Sequence, residues 1–164
     1  MTETTQTTET TQASSRAGTA AVAGGGYAFG VRLPLGHEEA VARTKEALKA
    51  EGFGVLSEID IQKAMREKVG HEMGRYLILG ACNPQLAHRA LQAEQELGAL
   101  LPCNVVVYED GAGDAGRAGA ETVVIAQDPQ LMLGAVGNQA LAPIATEARA
   151  RLERALNSLG GRPR

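Results

Sequence analysis

The chain has 164 residues, enough for one domain of ordinary size, with 44% hydrophobic residues, 21% charged residues and a formal net charge of -3. A mildly acidic balance with no basic block leaves no electrostatic footprint for nucleic acid, whose recognition begins with clustered Lys and Arg. Aromatic residues make up 3% and there are two cysteines, which disfavours aromatic stacking platforms and excludes a secreted disulfide scaffold.

Residues 1 to 26 are rich in Thr, Ser, Gln and Gly and offer no periodic apolar face to offset the entropy of ordering them. A disordered tail is expected there. Glu3 and Glu9 precede the first Arg, and the stretch from Gly18 to Gly26 is small and not hydrophobic, so a secretory signal is not indicated. No later window approaches the roughly 20 apolar residues of a membrane span. The expected compartment is the cytoplasm, with neither membrane nor nucleic acid as partner.

From Tyr27 the pattern is regular. Tyr27, Phe29, Val31 and Leu33 alternate with small or polar neighbours, the period of a strand with one buried face. Pro34 and Gly36 stop it. Residues 37 to 51 predict a helix with Ala40, Val41, Thr44, Ala47 and Leu48 on one face, acidic residues in its first turn and lysines near its end. After Gly52, the string FGVLSEIDI reads as a second strand with Phe53, Val55, Ser57, Ile59 and Ile61 on one side. QKAMREKVG reads as an irregular turn or two of helix. Residues 75 to 82, RYLILGAC, form an apolar run expected of a strand buried on both faces.

Asn83-Pro84 then opens a helix, because Asn can accept a free amide and Pro has none to satisfy. Leu86, Ala87, Ala90, Leu91 and Leu97 are expected inward, with Leu100, Leu101 and Pro102 ending the segment. A fourth strand runs from Cys103 to Asp110 and a fifth from Thr122 to Gln127. Asp128-Pro129 repeats the cap-and-Pro start ahead of Leu131, Met132 and Leu133. The last helix places Leu141, Ile144, Ala145, Ala148, Leu152, Ala155, Leu156 and Leu159 at spacings of three and four. Residues 160 to 164 read as a flexible end.

Gly111, Gly113 and Gly116 satisfy the spelling of a dinucleotide-binding loop, but that loop requires a helix at its end to aim amides and dipole at pyrophosphate. Here the next apolar segment is a strand, so a flexible hairpin loop is the better reading. His71-Glu72 lacks the second His of a zinc protease helix, since Arg75 stands in its place.

The cysteines are the one candidate site. Cys82 sits where a strand meets the amino end of a helix, where free amides and the dipole are expected to lower a thiol pKa. Cys103 opens the neighbouring strand, and each cysteine is followed by Asn, in ACNP and PCNV. The plain alternative is that each is a small buried hydrophobe. No C-x-x-C spacing exists, and spacing alone does not bring the two sulfurs within bonding distance. The ligand or redox candidates are therefore Cys82, Asn83, Cys103 and Asn104. Cys82, Cys103 and His88 are weak metal candidates, although an isolated His is more often a surface residue. His37 reads as a helix-start residue, and Glu58 with Asp60 as a solvated acidic pair. No carboxylate pair stands out as acid and base, and no catalytic site declares itself. The sequence leaves any cofactor unknown.

GYAFGVRLPLGHEEAVARTKEALKAEGFGVLSEIDI, then YLILGACNPQLAHRALQAEQELGALLPCNVVVYED, then the Asp128-Pro129 unit, resemble the domain-of-unknown-function 302 family over roughly residues 27 to 159. The resemblance implies one α+β domain of TATA-binding-protein-like class, a β-α-β(4)-α arrangement with an antiparallel curved sheet and helices packed on one face. It also implies a homodimer, and marks Cys82, Asn83, Pro84, Pro102, Cys103 and Asn104 as family positions. It carries no biochemical role, and a fold name is not evidence of DNA binding. A sheet covered on one face needs cover on the other, and a two-fold contact with a second copy is the commonest solution. Two functions follow as expectations: a thiol-based module for a small ligand, sulfur species or soft metal, or a homodimeric structural or interaction module without catalytic chemistry.

Overall fold

The structure is a computed structural model that describes residues 21–22, 26–110 and 121–160. A two-residue strand, β1 (Ala21–Val22), pairs with β2 (Ala28–Leu33). The rest of the tail expected to be disordered, and residues 161–164, lie outside the described residues. In β2 the predicted alternation holds: Val31 and Leu33 are buried and Phe29 packs against the same core. Tyr27 is not part of that face, being 63% exposed ahead of the strand.

Helix α1 (His37–Ala50) buries Ala40, Thr44 and Leu48, one residue per turn along a single stripe. The buried Thr44 hydroxyl is satisfied by donating to the Ala40 carbonyl at 2.7 Å. Gly52, with φ +84°, turns the chain into β3 (Gly54–Asp60). Here the sequence reading needs correction, because a bulge interrupts the pairing with β4 between Val55 and Ser57. Leu56 is the extra residue, so the alternation changes phase. Val55 stays on the core side opposite Ala81, whereas Ser57 and Ile59 pair with Gly80 and Ile78 on the far face. An extra residue in a period of two moves every later side chain across the sheet.

The segment read as an irregular turn or two of helix is a regular helix, α2 (Ile61–Val69). Asp60 is its cap, accepting the Lys63 amide at 2.9 Å, and Gly70 closes it in the left-handed region. Glu58 and Asp60 are both exposed, as the solvated-pair reading has it, and Glu58 also binds Lys45 of α1 at 2.6 Å. Strand β4 (Tyr76–Cys82) leads into α3 (Pro84–Ala93), which ends earlier than predicted; Leu97 is buried from a separate 3-10 helix, Gln95–Leu100. Leu91, expected inward, is 39% exposed.

Strands β5 (Cys103–Glu109) and β6 (Thr122–Gln127) pair as a hairpin whose closing bond runs from the Asp110 amide to the Glu121 carbonyl at 2.9 Å. A strand, not a helix, therefore follows the glycine run. The expected flexible loop, residues 111–120, lies outside the described residues. The chain closes with α4 (Pro129–Gly134), a short 3-10 turn (Gln139–Leu141) and α5 (Ala142–Leu159). Every apolar position predicted for the last helical segment, from Leu141 to Leu159, is buried.

The sheet order is β1-β2-β6-β5-β4-β3, with every neighbouring pair antiparallel. Helices pack on one side of it, giving the α+β architecture that the sequence implies. One core cluster joins α1 and α5 to the sheet through Leu48, Leu79, Val105, Val124, Leu152 and Leu156. A second lies at the end of the sheet, where Leu86, Leu97, Leu133, Leu141 and Ile144 bring α3, α4 and α5 together. β4 is not buried on both faces in the single chain. Leu79 and Ala81 point into the core, whereas Tyr76 and Ile78 on the opposite face are only half-buried.

Candidate functional site

The second core cluster does not fill its space. Between the end of β4 and β5 and the helices α3, α4 and α5 lies a narrow cavity of about 40 Å³. Cys82 and Cys103 both line it, with Asn83, Phe53, Leu97, Gln127, Met132 and Leu133 among the other walls. The two strands are neighbours, and Cys103 pairs directly with Ala81. The local sequence explains this convergence. β4 ends at Cys82, Asn83-Pro84 turns the chain into α3, and the segment after α3 returns it through Pro102 to start β5 beside the same point.

Asn83 is 7% exposed and its Oδ1 accepts the Leu86 amide at 3.1 Å. It is the helix cap that its position predicts, so its carbonyl oxygen is already engaged in structure. Asn104 is not brought to the pocket. Adjacent residues on a strand face opposite ways, so Cys103 lies with the core-facing row, Asn104 is exposed on the far face opposite Gly80, and Cys82, next after core-facing Ala81, ends β4 in the row of Gly80 at the rim of the pocket. His88 is exposed on α3 between the inward Leu86 and Ala90, and does not line the cavity. Among the described residues, no three His, Cys, Asp or Glu side chains form a metal-holding group.

Both cysteines are free thiols. The expected lowering of the Cys82 pKa is reversed: burial pushes the thiol up. The amino end of α3 does not overcome the loss of water, and the favourable cap position belongs to Asn83. Cys103 is pushed up to about 11, first by burial and then by the charge of Cys82. At neutral pH both are therefore protonated, and neither is a preformed nucleophile. What the pocket offers is a small apolar space with sulfur in its wall.

The sequence reading missed Met132 as a residue of the pocket wall. Its position two residues beyond Gln130 in a short capped helix carried no signal, because a Met among Leu residues reads as core. Asp128 sets this helix by accepting the Gln130 amide at 2.8 Å, and Arg149 of α5 binds Asp128 while its guanidinium lies 4.5 Å over the Phe29 ring. A second and wider cleft, of about 370 Å³, lies between the start of α1 and β4 and is lined by His37, Glu38, Asp60 and Arg75. Its polar groups are engaged with one another or with backbone: Arg75 binds Glu38 at 2.7 Å, Asp60 caps α2, and His37 Nε2 lies 3.2 Å from the Val107 carbonyl.

An antiparallel sheet with helices on one face and a Cys-Asn-Pro turn at the pocket defines an α+β fold. The family model described as "Domain of unknown function DUF302" matches residues 29–159, and the chain belongs to that family. The chain is similar to the crystal structure of an uncharacterized conserved protein DUF302 from Bacillus stearothermophilus, with 31% identity and a TM-score of 0.71 over 80% of this chain and 96% of that one. No curated protein matches it. Among the described residues no helix is long and apolar enough to cross a membrane.

Proposed function

We propose that this domain binds a small, soft ligand in the sulfur-lined pocket. The observation that carries the reading is that both cysteines of the chain are among the residues lining one narrow, largely apolar cavity. A space of about 40 Å³ is far below the roughly 300 Å³ at which organic-ligand pockets begin, so the guest is an ion or a group of a few atoms. Protonated thiols suit a ligand that displaces the proton as it binds, in preference to attack by a standing thiolate. Titration of the native chain with methylmercury, read by native mass spectrometry and thermal unfolding, tests this. Two equivalents should bind with a rise in Tm, and one in either Cys82→Ser or Cys103→Ser. Thiols that take the reagent only after unfolding would overturn the reading.

A second reading concerns the sheet's open face and goes with a second copy of the chain. Tyr76 and Tyr108, paired across β4 and β5, stack with ring centroids 5.5 Å apart, and Ile78 and Val106 continue the apolar strip. Beside it, α2 buries none of its residues and leaves Met65 and Val69 exposed. A two-fold contact would cover both features at once, since each copy offers the same strip. Val106→Glu should then shift the sedimenting species from dimer to monomer with an unchanged circular dichroism spectrum. A wild-type monomer at micromolar concentration would sink the idea.

A further inference from the structure

We propose that the cleft between the start of α1 and the start of β4 binds a small zwitterion, an amino acid with an apolar side chain, across the Arg75–Glu38 ion pair. The site lies at the opposite end of β4 from the cysteine pocket, and it stands independently of the soft-ligand reading. Its volume of about 370 Å³ falls within the roughly 300–1,000 Å³ of small-molecule sites. Part of the wall is apolar, since Val41 and Leu77 line it half-buried at the margin of the main core, with Tyr76 beside them. The charges stand side by side: Arg75 Nη1 donates to Glu38 Oε1 at 2.7 Å. A cation and an anion in contact form a surface complementary to a molecule whose own anion and cation are a few bonds apart, as they are in an amino acid.

The pair has hydrogen-bonding capacity left for a ligand. A guanidinium carries five N–H donors and a carboxylate two oxygens, and the Arg75–Glu38 contact uses one of each. A ligand carboxylate can therefore take two parallel N–H groups of Arg75, the bidentate geometry that Glu38 does not use. The ligand ammonium then donates to the second Glu38 oxygen. Both protein groups are charged at neutral pH, because the guanidinium holds the Glu38 carboxyl below its usual value and Glu38 in turn raises Arg75. Their backbones are fixed in advance. The Arg75 amide donates to the Glu109 carboxylate at 3.1 Å, its carbonyl accepts the Glu109 amide at 3.0 Å, and Glu38 belongs to the first turn of α1. Asp60 also lines the cleft, and this further carboxylate favours a ligand that brings a cation over a simple anion.

The opposing account makes the ion pair a plain staple between α1 and β4, and a series of probes with one charge deleted separates the two. Leucine carries both charges, isocaproate keeps the carboxylate alone and isoamylamine the ammonium alone, on the same apolar skeleton. The full chain, isotope-labelled at its amides, is titrated with each probe to about 10 mM, enough to populate a site of millimolar affinity. Leucine should shift the amide resonances of His37, Glu38, Tyr76 and Leu77 saturably. Each analogue should bind at least about tenfold more weakly, the effect of losing one hydrogen bond to a charged group. Arg75→Gln should erase the preference for leucine over isoamylamine, and Glu38→Gln the preference over isocaproate. Both side chains are exposed, so the variants should fold, with thermal unfolding as the control; if either does not, the wild-type series alone decides. No saturable shift with leucine, shifts confined to other residues, or an analogue that binds as well as leucine overturns the proposal, as does a folded variant that keeps the full preference.

Discussion

The side-chain amide of Asn83 occupies the space that a side chain at Gly52 would need. An ideal Cβ on Gly52 would lie 2.9 Å from Asn83 Nδ2, and Gly52 itself holds φ +84°. Asn83 meanwhile caps α3 through its Oδ1. One polar side chain thus ties the turn after α1 to the turn after β4, at the end of the sheet where the pocket lies. Arg151 reinforces the junction by donating to the Glu51 carbonyl at 3.3 Å.

Gly52→Ala should therefore be destabilising twice over, through the left-handed backbone, which costs about 1–2 kcal/mol for a residue with a Cβ, and through displacement of the Asn83 amide. Asn83→Ala should cost about 1 kcal/mol from the lost cap. Because the two residues touch, the costs should not add: Gly52→Ala should be milder in the Asn83→Ala background, with only the backbone strain left. Urea unfolding of the four chains measures this. Strict additivity would show that the two turns are independent.

Stability should fall at high pH. The folded Cys103 thiol sits at about 11, above the ordinary value of 9.0, so the unfolded chain releases that proton first. Linkage then gives a stabilisation that is full below about pH 9 and is lost as pH rises toward about 11. Its size is on the order of 2 kcal/mol. Denaturant melts between pH 8 and pH 11 should show the decline, and Cys103→Ala should flatten it, leaving the smaller slope that Cys82, also raised by burial, contributes. A pH-independent wild type would contradict the burial of the thiol.

Most of the architecture is legible in the sequence because most of its signals are local. Asn83-Pro84 and Asp128-Pro129 announce helix starts whose cap bonds are present, and the spacing of three and four from Leu141 to Leu159 marks a face that is wholly buried. The β3 bulge is not legible, since an extra residue at Leu56 is defined by the partner strand and leaves no mark on the strand itself. Helix α2 was obscured for a related reason. Ile61 continues the strand-like alternation, so nothing local marks Asp60, the last residue of β3, as also the cap of α2. The candidate site was half legible: Cys82, Asn83 and Cys103 converge, but assigning Asn104 to the same pocket overlooked the alternation of strand faces. Met132 reaches the pocket through tertiary packing of a six-residue helix, which no local pattern encodes.

Gly80 is required by close approach and not by its backbone angle. A Cβ there would overlap the Ser57 hydroxyl and lie 2.8 Å from Pro102 Cγ, so the bulged edge strand and the entry to β5 both press on it from the open face. Gly80→Ala should cost about 1–3 kcal/mol, the usual range for overpacking. Ser57→Gly should recover part of that loss, because it removes one of the two obstructions and leaves the ring of Pro102. Thermal melts of the single and double variants read the recovery. A Gly80→Ala chain as stable as the wild type would mean that β3 can move away from β4 at no cost.

Helix α2 gives the last prediction, because it stands on local interactions. None of its nine residues is buried, Ile61, Gln62 and Ala64 are half-buried, and Gln62 reaches back to the Met73 carbonyl at 2.8 Å. A nine-residue helix is too short to persist in water by propensity alone. The Asp60 cap and the Gly70 terminus therefore matter more here than in a helix held by the core. Asp60→Ala should remove about 1 kcal/mol from α2 alone: amide exchange across Ile61–Val69 should speed up several-fold while the global unfolding midpoint stays nearly constant. If a second copy covers Met65 and Val69, the same substitution should also weaken self-association, since the partner would have to order the helix as it binds. Faster exchange in α2 with an unchanged dissociation constant would place the helix outside any such contact and leave the Tyr76–Tyr108 strip as the whole of it.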